Sequence, residues 1–170
     1  MRHNATSSAD HPAAPATERR DSPGVRIPPP VYFLIAFLIG WLLQARFPLP
    51  FLARPIALSL GIALVAAAAL LIIAAIPTML RGHGTLKTDG PSAALVMSGP
   101  YRISRNPMYL GLVLLYGGLA CVFAIDWALP LLIPLILYTQ VGTIVPEERY
   151  LERSFGESYR AYRSRVRRWL

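Results

Sequence analysis

Long uncharged runs alternate with short polar breaks along this chain, and the runs are too uniformly apolar to be strands or surface helices. Four of them have the length to cross a hydrocarbon layer of about 30 Å at about 1.5 Å per helical residue. They cover 31–45, 55–80, 107–125 and 127–145. The second is the most plainly transmembrane, since 58–76 (LSLGIALVAAAALLIIAAI) carries no charge. Only Asp126 separates the third from the fourth, which predicts a tight helical hairpin. Pro130 and Pro134 remove backbone donors within the fourth span, a loss that neighbouring helices tolerate. Beyond it, Tyr150, Leu151, Ser154 and Phe155 recur near helical spacing and predict an amphipathic helix lying in the interface. The fold class expected is therefore all-α. It is a polytopic integral membrane protein with about four transmembrane helices and a carboxyl-terminal interfacial amphipathic helix.

Residues 1–30 break that pattern. They combine Pro, Ala, Ser and mixed charge without apolar periodicity, a composition that cannot bury a core and predicts a disordered cytoplasmic tail. No short apolar region stands near the amino terminus, so no cleaved signal peptide is expected. Residues 31–170 then form one membrane-embedded domain.

Composition sharpens this picture. Hydrophobic residues make up 54% of the chain and charged residues 15%, against about a quarter charged in globular proteins. The 17 Lys+Arg against 9 Asp+Glu give a net charge of +8, a balance that in a soluble protein would suggest nucleic acid. Here the positions of the charges argue otherwise. Arg2, Arg19, Arg20 and Arg26 lie in the tail; Arg81, Lys87, Arg102 and Arg105 lie in the middle loop. Arg149, Arg153, Arg160, Arg163, Arg165, Arg167 and Arg168 crowd the carboxyl end, while the two remaining turns hold only Arg46 and Arg54. The positive-inside rule then puts both termini and the middle loop in the cytoplasm, with the protein in the inner (cytoplasmic) membrane. The partner expected for this charge is anionic membrane lipid, with no nucleic acid. Cys121 is the only cysteine, which excludes an intrachain disulfide, and His3, His11 and His83 are too scattered for a metal cluster.

Two polar segments could carry chemistry. In the first, 93–111, Gly99-Pro100 marks a turn, and Asn106-Pro107 marks a helix start: Asn can cap, and Pro suits the first helical position. Such a helix end favours an anionic group, and Tyr101 and Tyr109 offer flat faces to a purine or a sulfonium cation. In the second, 146–162, Glu147 and Glu148 stand where the fourth span leaves the bilayer, a costly place for two acids without a partner. Taken singly, the tyrosines and arginines of the first segment read as interfacial anchoring and positive-inside charge before they read as a site, and the two acids fit a solvated helix start as well as a functional role.

Taken together, the strings LVMSGPY, RNPMY, the Glu pair and FGESYRAY occur in that order around the predicted hairpin. They resemble the signature of the isoprenylcysteine carboxyl methyltransferase family and its bacterial relatives, across roughly 81–170. The resemblance implies an S-adenosylmethionine-dependent membrane methyltransferase without a soluble nucleotide-binding domain. It implies cofactor contacts from Ala93, Ala94, Leu95 and Val96, from Tyr101, and from Asn106, Pro107, Met108 and Tyr109. Glu147 would be the acidic contact, joined by Glu148. A lipophilic or small-molecule acceptor (carboxylate, thiol or amine) would enter sideways between helices and supply the nucleophile itself, so no catalytic residue is assigned. Two departures matter. Asn106 replaces the family's usual His and cannot titrate near neutrality, and its Asn-Pro-Met-Tyr string also resembles phospholipid methyltransferases acting on amines. Thr143 stands where the prenylcysteine enzymes carry an Arg, so the resemblance does not single out a prenylcysteine substrate. The remaining alternatives are a nicotinamide-dependent membrane reductase, disfavoured by short loops and no Gly-rich phosphate fingerprint, and a non-catalytic membrane protein on the same scaffold.

Overall fold

The computed structural model describes residues 27–50, 52–83 and 95–170, with side chains of the second stretch described to Leu80. The tail over 1–26, and Ala93 and Ala94, lie outside the described residues. All regular structure among the described residues is helical. Five helices follow one another: α1 (Pro29–Arg46), α2 (Arg54–His83), α3 (Pro107–Phe123), α4 (Ala128–Tyr138) and α5 (Val145–Arg165). A tight 3-10 turn, Gly99–Arg102, precedes α3, and a π-helical segment, Thr139–Ile144, joins α4 to α5.

The apolar runs expected from sequence become α1, α2, α3 and the α4 run, with small differences at their ends. Pro29 and Pro30 occupy the first turn of α1, where a missing N–H costs nothing. α3 is 17 residues long, which at about 1.5 Å per residue is a few ångströms short of a full hydrocarbon core. It ends early because Ala124 adopts a left-handed conformation (φ 53°), and the Ile125 N–H donates back to the Ala120 carbonyl at 2.8 Å. The link to α4 is thus four residues rather than Asp126 alone, and Asp126 is buried in it. Arg54, read from sequence only as a loop charge, donates to the carbonyls of Val122 (2.8 Å) and Cys121 (3.3 Å). A guanidinium there supplies a donor to the Val122 carbonyl at the open end of α3 and shares the Cys121 carbonyl with the Ala124 N–H.

Burial within α2 is inverted relative to a soluble helix. Ala57, Gly61, Ala68 and Ala75 face inward, whereas Leu70 is 72% exposed. Lipid is as apolar as leucine, so large side chains gain little by turning inward, and close backbone packing is what holds such helices together. The crossing of α2 and α3 is built on that principle. A Cβ at Gly118 would lie 2.8 Å from a Val65 methyl and 3.0 Å from the Gly61 carbonyl oxygen. α1 closes the other side of α3 with rings: Phe33 and Phe37 meet Tyr116 edge-on, with centroids 6.0 and 5.5 Å apart.

The fourth span and the amphipathic helix are one continuous run, interrupted by geometry and not by a loop. Pro146 would clash with the carbonyl of Gly142 in a regular helix, and the wider π-helical turn over Thr139–Ile144 ends just before it. A second break falls at Gly156 (φ 51°, ψ −118°), where no side chain crowds the position. The buried face of α5 differs from the stripe expected. Ser154 is exposed, and the inward positions run Glu148, Leu151, Phe155, Tyr159 and Tyr162.

The crossing should be sensitive to one glycine and indifferent to its neighbour. Gly118→Val should cost about 1–3 kcal/mol through overpacking, read as a lowered melting temperature in detergent. Gly117→Ala, whose Cβ would meet only a Leu132 methyl at 3.7 Å, should melt close to wild type. Equal melting of all three proteins would refute the crossing.

Candidate functional site

At the end of the bundle where α3 begins, the helices diverge around a cavity of about 440 Å³. Its wall draws on the start of α1, the latter half of α2, the turn before α3, the first turns of α3 and the inward face of α5. Of the eleven residues expected from the resemblance, the nine described ones all line it. Leu95 and Val96 approach from the segment before the turn, and Tyr101 from the turn itself. Asn106, Pro107, Met108 and Tyr109 form the start of α3, and Glu147 and Glu148 the start of α5. Residues separated by up to 53 positions in sequence thus share one chamber.

The two acids have different surroundings. The Tyr109 hydroxyl donates to Glu147 Oε1 at 2.8 Å, and this is its one hydrogen bond among the described residues. Glu148 is enclosed. Its Oε1 accepts from Arg168 Nε at 2.9 Å and pairs with Arg105 at 3.0 Å, while its Oε2 accepts from the second Arg168 nitrogen at 2.6 Å. The Glu148 and Arg105 side chains are each 9% exposed. This is a forked, charge-assisted arrangement that fixes geometry as well as charge. The burial of a carboxylate between two guanidiniums is tolerable because its lone pairs are filled.

Arg168 brings the carboxyl terminus with it. The Arg105 N–H donates to the Arg167 carbonyl at 3.0 Å, and the Ser104 hydroxyl and Asn106 amide donate to the Arg168 carbonyl at 3.3 and 3.1 Å. Trp169 Nε1 donates to Gln140 Oε1 at 2.8 Å. Residues 166–169 therefore strap the start of α3 to the α4–α5 junction. The expectation that Asn106 caps α3 with its side chain is corrected here. Asn106 stands at the cap position, but its amide is spent on the strap, and its own N–H is met by the Ser104 hydroxyl at 3.1 Å. An amide can donate to a main-chain carbonyl whatever the pH, which a histidine in that place would do only in one tautomer.

The tyrosines complete the wall. The Tyr162 hydroxyl donates to the Tyr101 carbonyl at 2.6 Å, pinning the turn before α3 to α5. Burial, and then the charge of Glu147, push the Tyr101 phenol above its ordinary range, so it stays a neutral donor. Arg105 has a buried Nε without a hydrogen-bond partner among the described residues, on a side chain that lines the chamber. The sequence leaves several wall residues unassigned: Tyr159 and Tyr162, Leu151 and Phe155, and Arg105; it also leaves unassigned Arg168, which stands outside the wall and shares Glu148 with Arg105. The α5 residues were legible from the i, i+3, i+4 spacing that begins at Glu148. Arg168 had no local signal, being one arginine in a basic tail.

A helical membrane bundle enclosing one acidic and aromatic chamber at the end of its third and fourth spans is the class defined by this fold and site. The model of the phospholipid methyltransferase family matches residues 56–158, and the chain belongs to that family. It is accordingly an integral membrane methyltransferase by family. No curated protein and no solved structure matched the chain.

The contrast between the acids is measurable. Glu148→Gln strands two guanidiniums and should cost about 3 kcal/mol of stability, seen as a lower melting temperature without any ligand. Glu147→Gln should leave that temperature near wild type. The reverse ranking would show that Glu147, and not Glu148, holds the site together.

Proposed function

We propose that the chamber binds S-adenosylmethionine and that the protein transfers its methyl group to a lipophilic acceptor reaching the site from the membrane. The observation that carries this reading is the pairing of an acid and an unsatisfied donor in one wall. Among the described residues, Glu147 offers a carboxylate held by one hydrogen bond, and Arg105 Nε is a buried donor without a partner. An amino-acid zwitterion, such as the methionine end of the cofactor, matches both: its ammonium suits Glu147 and its carboxylate suits Arg105. The volume lies in the ~300–1,000 Å³ range of small-molecule sites, and Tyr101, Tyr109 and Met108 supply faces suited to a purine or a sulfonium. Leu95 and Val96 would contribute apolar contact. The residues present fit the cofactor.

When bound, S-adenosylmethionine supplies an already activated methyl group. The protein's own work is then positioning and water exclusion. Tyr109 fixes the Glu147 carboxylate, Tyr162 holds the turn that presents Tyr101, and the Glu148 cluster fixes the Arg105 stem. Pro29, Pro30, Ile72 and Leu112 give the chamber an apolar margin toward the membrane. By the positive-inside rule the chamber end faces the cytoplasm.

A second reading concerns the acceptor and is favoured by the family match: an amine-bearing phospholipid headgroup. Expression in a host whose membranes contain phosphatidylethanolamine should produce mono- or dimethylated ethanolamine lipids, detected by lipid mass spectrometry. Unchanged lipids beside an active methyl transfer to another lipophilic acceptor would reject the amine and keep the broader reading.

The cofactor assignment is tested in detergent by thermal stabilisation. A ligand that binds only the folded state adds about 2.7 kcal/mol at a hundred times its Kd, so S-adenosylmethionine should raise the melting temperature saturably. Tyr109→Ala and Glu147→Gln should each abolish the shift. A shift with a reduced nicotinamide dinucleotide in its place would turn the reading to a reductase.

A further inference from the structure

A second cavity, of about 590 Å³, opens beside the first on the far side of Tyr162. Its wall comes from Met97 and Arg102 on one side and from Ser158, Ala161, Arg165 and Val166 on the other. It therefore lies between the 3-10 turn and the last two turns of α5. Tyr162 lines both cavities.

Two positive charges meet in this groove. Arg102 and Arg165 are both exposed, and neither has a hydrogen bond or ion pair among the described residues. The acids of α5 are all engaged elsewhere. Glu147 holds Tyr109, Glu148 lies between Arg105 and Arg168, Glu152 pairs with Arg163 at 3.1 Å, and Glu157 pairs with Arg160 at 2.8 Å. The groove thus carries two uncompensated guanidiniums and a Ser158 hydroxyl, with no acidic residue in its described wall. Two planar forks converging with a hydroxyl are suited to a phosphate.

The neighbourhood decides which phosphate. Met97 in the wall is 48% exposed, and Ile103, directly after Arg102, is 68% exposed. A soluble anion has no use for apolar side chains at its margin, whereas a lipid presents a phosphate and an acyl region together. The groove also lies beside the turn before α3, at the end of the bundle that the positive-inside rule turns toward the cytoplasmic headgroups. We propose that it is a binding site for the phosphate of an anionic membrane phospholipid, held by Arg102 and Arg165. A lipid in this groove would bear on Tyr162, whose hydroxyl fixes the turn carrying Tyr101 into the first chamber. The site itself does not depend on the methyltransferase reading.

Native mass spectrometry of the full chain in a neutral detergent, titrated with phosphatidylglycerol, reads the site directly. The tightest-bound phosphatidylglycerol should be retained in preference to phosphatidylcholine. In the double variant Arg102→Ala/Arg165→Ala its affinity should fall about thirtyfold, the loss expected for two cations beside a lipid phosphate. Arg149→Ala/Arg153→Ala removes the same charge from exposed positions outside both cavities and should retain that lipid. If the first double variant fails to fold, Arg102→Gln alone should weaken the lipid about fivefold. Equal losses in the two double variants would reduce the effect to general electrostatics and overturn the site. So would wild-type affinity in the groove variant. Competition by inorganic phosphate as effective as that of the lipid would assign the groove to a soluble anion and overturn the lipid.

Discussion

The chamber depends on a single buried carboxylate. Glu148 accepts from Arg105, which belongs to the segment before α3, and from Arg168, which belongs to the carboxyl-terminal strap. Three stretches far apart in sequence are joined at one group. A charge with so little access to water persists only because both oxygens are occupied. Its neighbours then follow. With Arg168 anchored, its carbonyl can take the Ser104 and Asn106 donors, and Arg105 is held against the chamber wall. The membrane cannot supply this joint, because apolar helices in lipid lack the hydrophobic drive that would define their ends. Small-residue packing sets where α2 and α3 cross, and the ionic joint sets how the start of α3 meets α5 and the strap.

This explains the division between adjacent acids. Glu147 and Glu148 are consecutive on a helix, so their side chains point about 100° apart. Both line the chamber, but one carboxylate meets the phenol of Tyr109 and the other meets Arg105 and the basic strap. The sequence alone treats them as a pair with a shared purpose. The π-helical segment before them bears on the same outcome. It accommodates Pro146 and so lets the fourth span continue unbroken into α5, which delivers the first turn of α5 to the chamber at a fixed rotation. π-helical turns recur at functional sites for such reasons.

The membrane-spanning runs were legible because length and apolarity are local properties, and a run such as 58–76 admits few other readings. The chamber residues were legible through resemblance, since LVMSGPY, RNPMY, the Glu pair and FGESYRAY travel together in order. What escaped was contact between distant segments of unremarkable composition. Arg168 is one of several arginines near the end of the chain, and nothing local distinguishes it from Arg167 or Arg165. Asn106 escaped for another reason. The local rule for Asn before Pro is sound, and the backbone does start a helix there, but a tertiary acceptor offered by the strap outcompeted the cap. The left-handed Ala124 was likewise invisible, because that conformation is normally signalled by Gly or Asn.

The strap also constrains how any substrate reaches the site. Residues 166–169 run from the start of α3 to Gln140, held by one main-chain hydrogen bond from Arg105 to Arg167 and by the side chains of Ser104, Asn106 and Trp169. The opposite margin is different: Pro29 and Pro30 of α1 and Ile72 of α2 line it with apolar surface. A polar ligand meets the ionic side of such a chamber and an apolar one meets the membrane side. The chamber is thus graded in character, from the paired arginines on its ionic side to the prolines of α1 on its apolar side. That gradient follows from building a site at the junction of membrane and water, where one wall can keep its charges compensated and the other needs none.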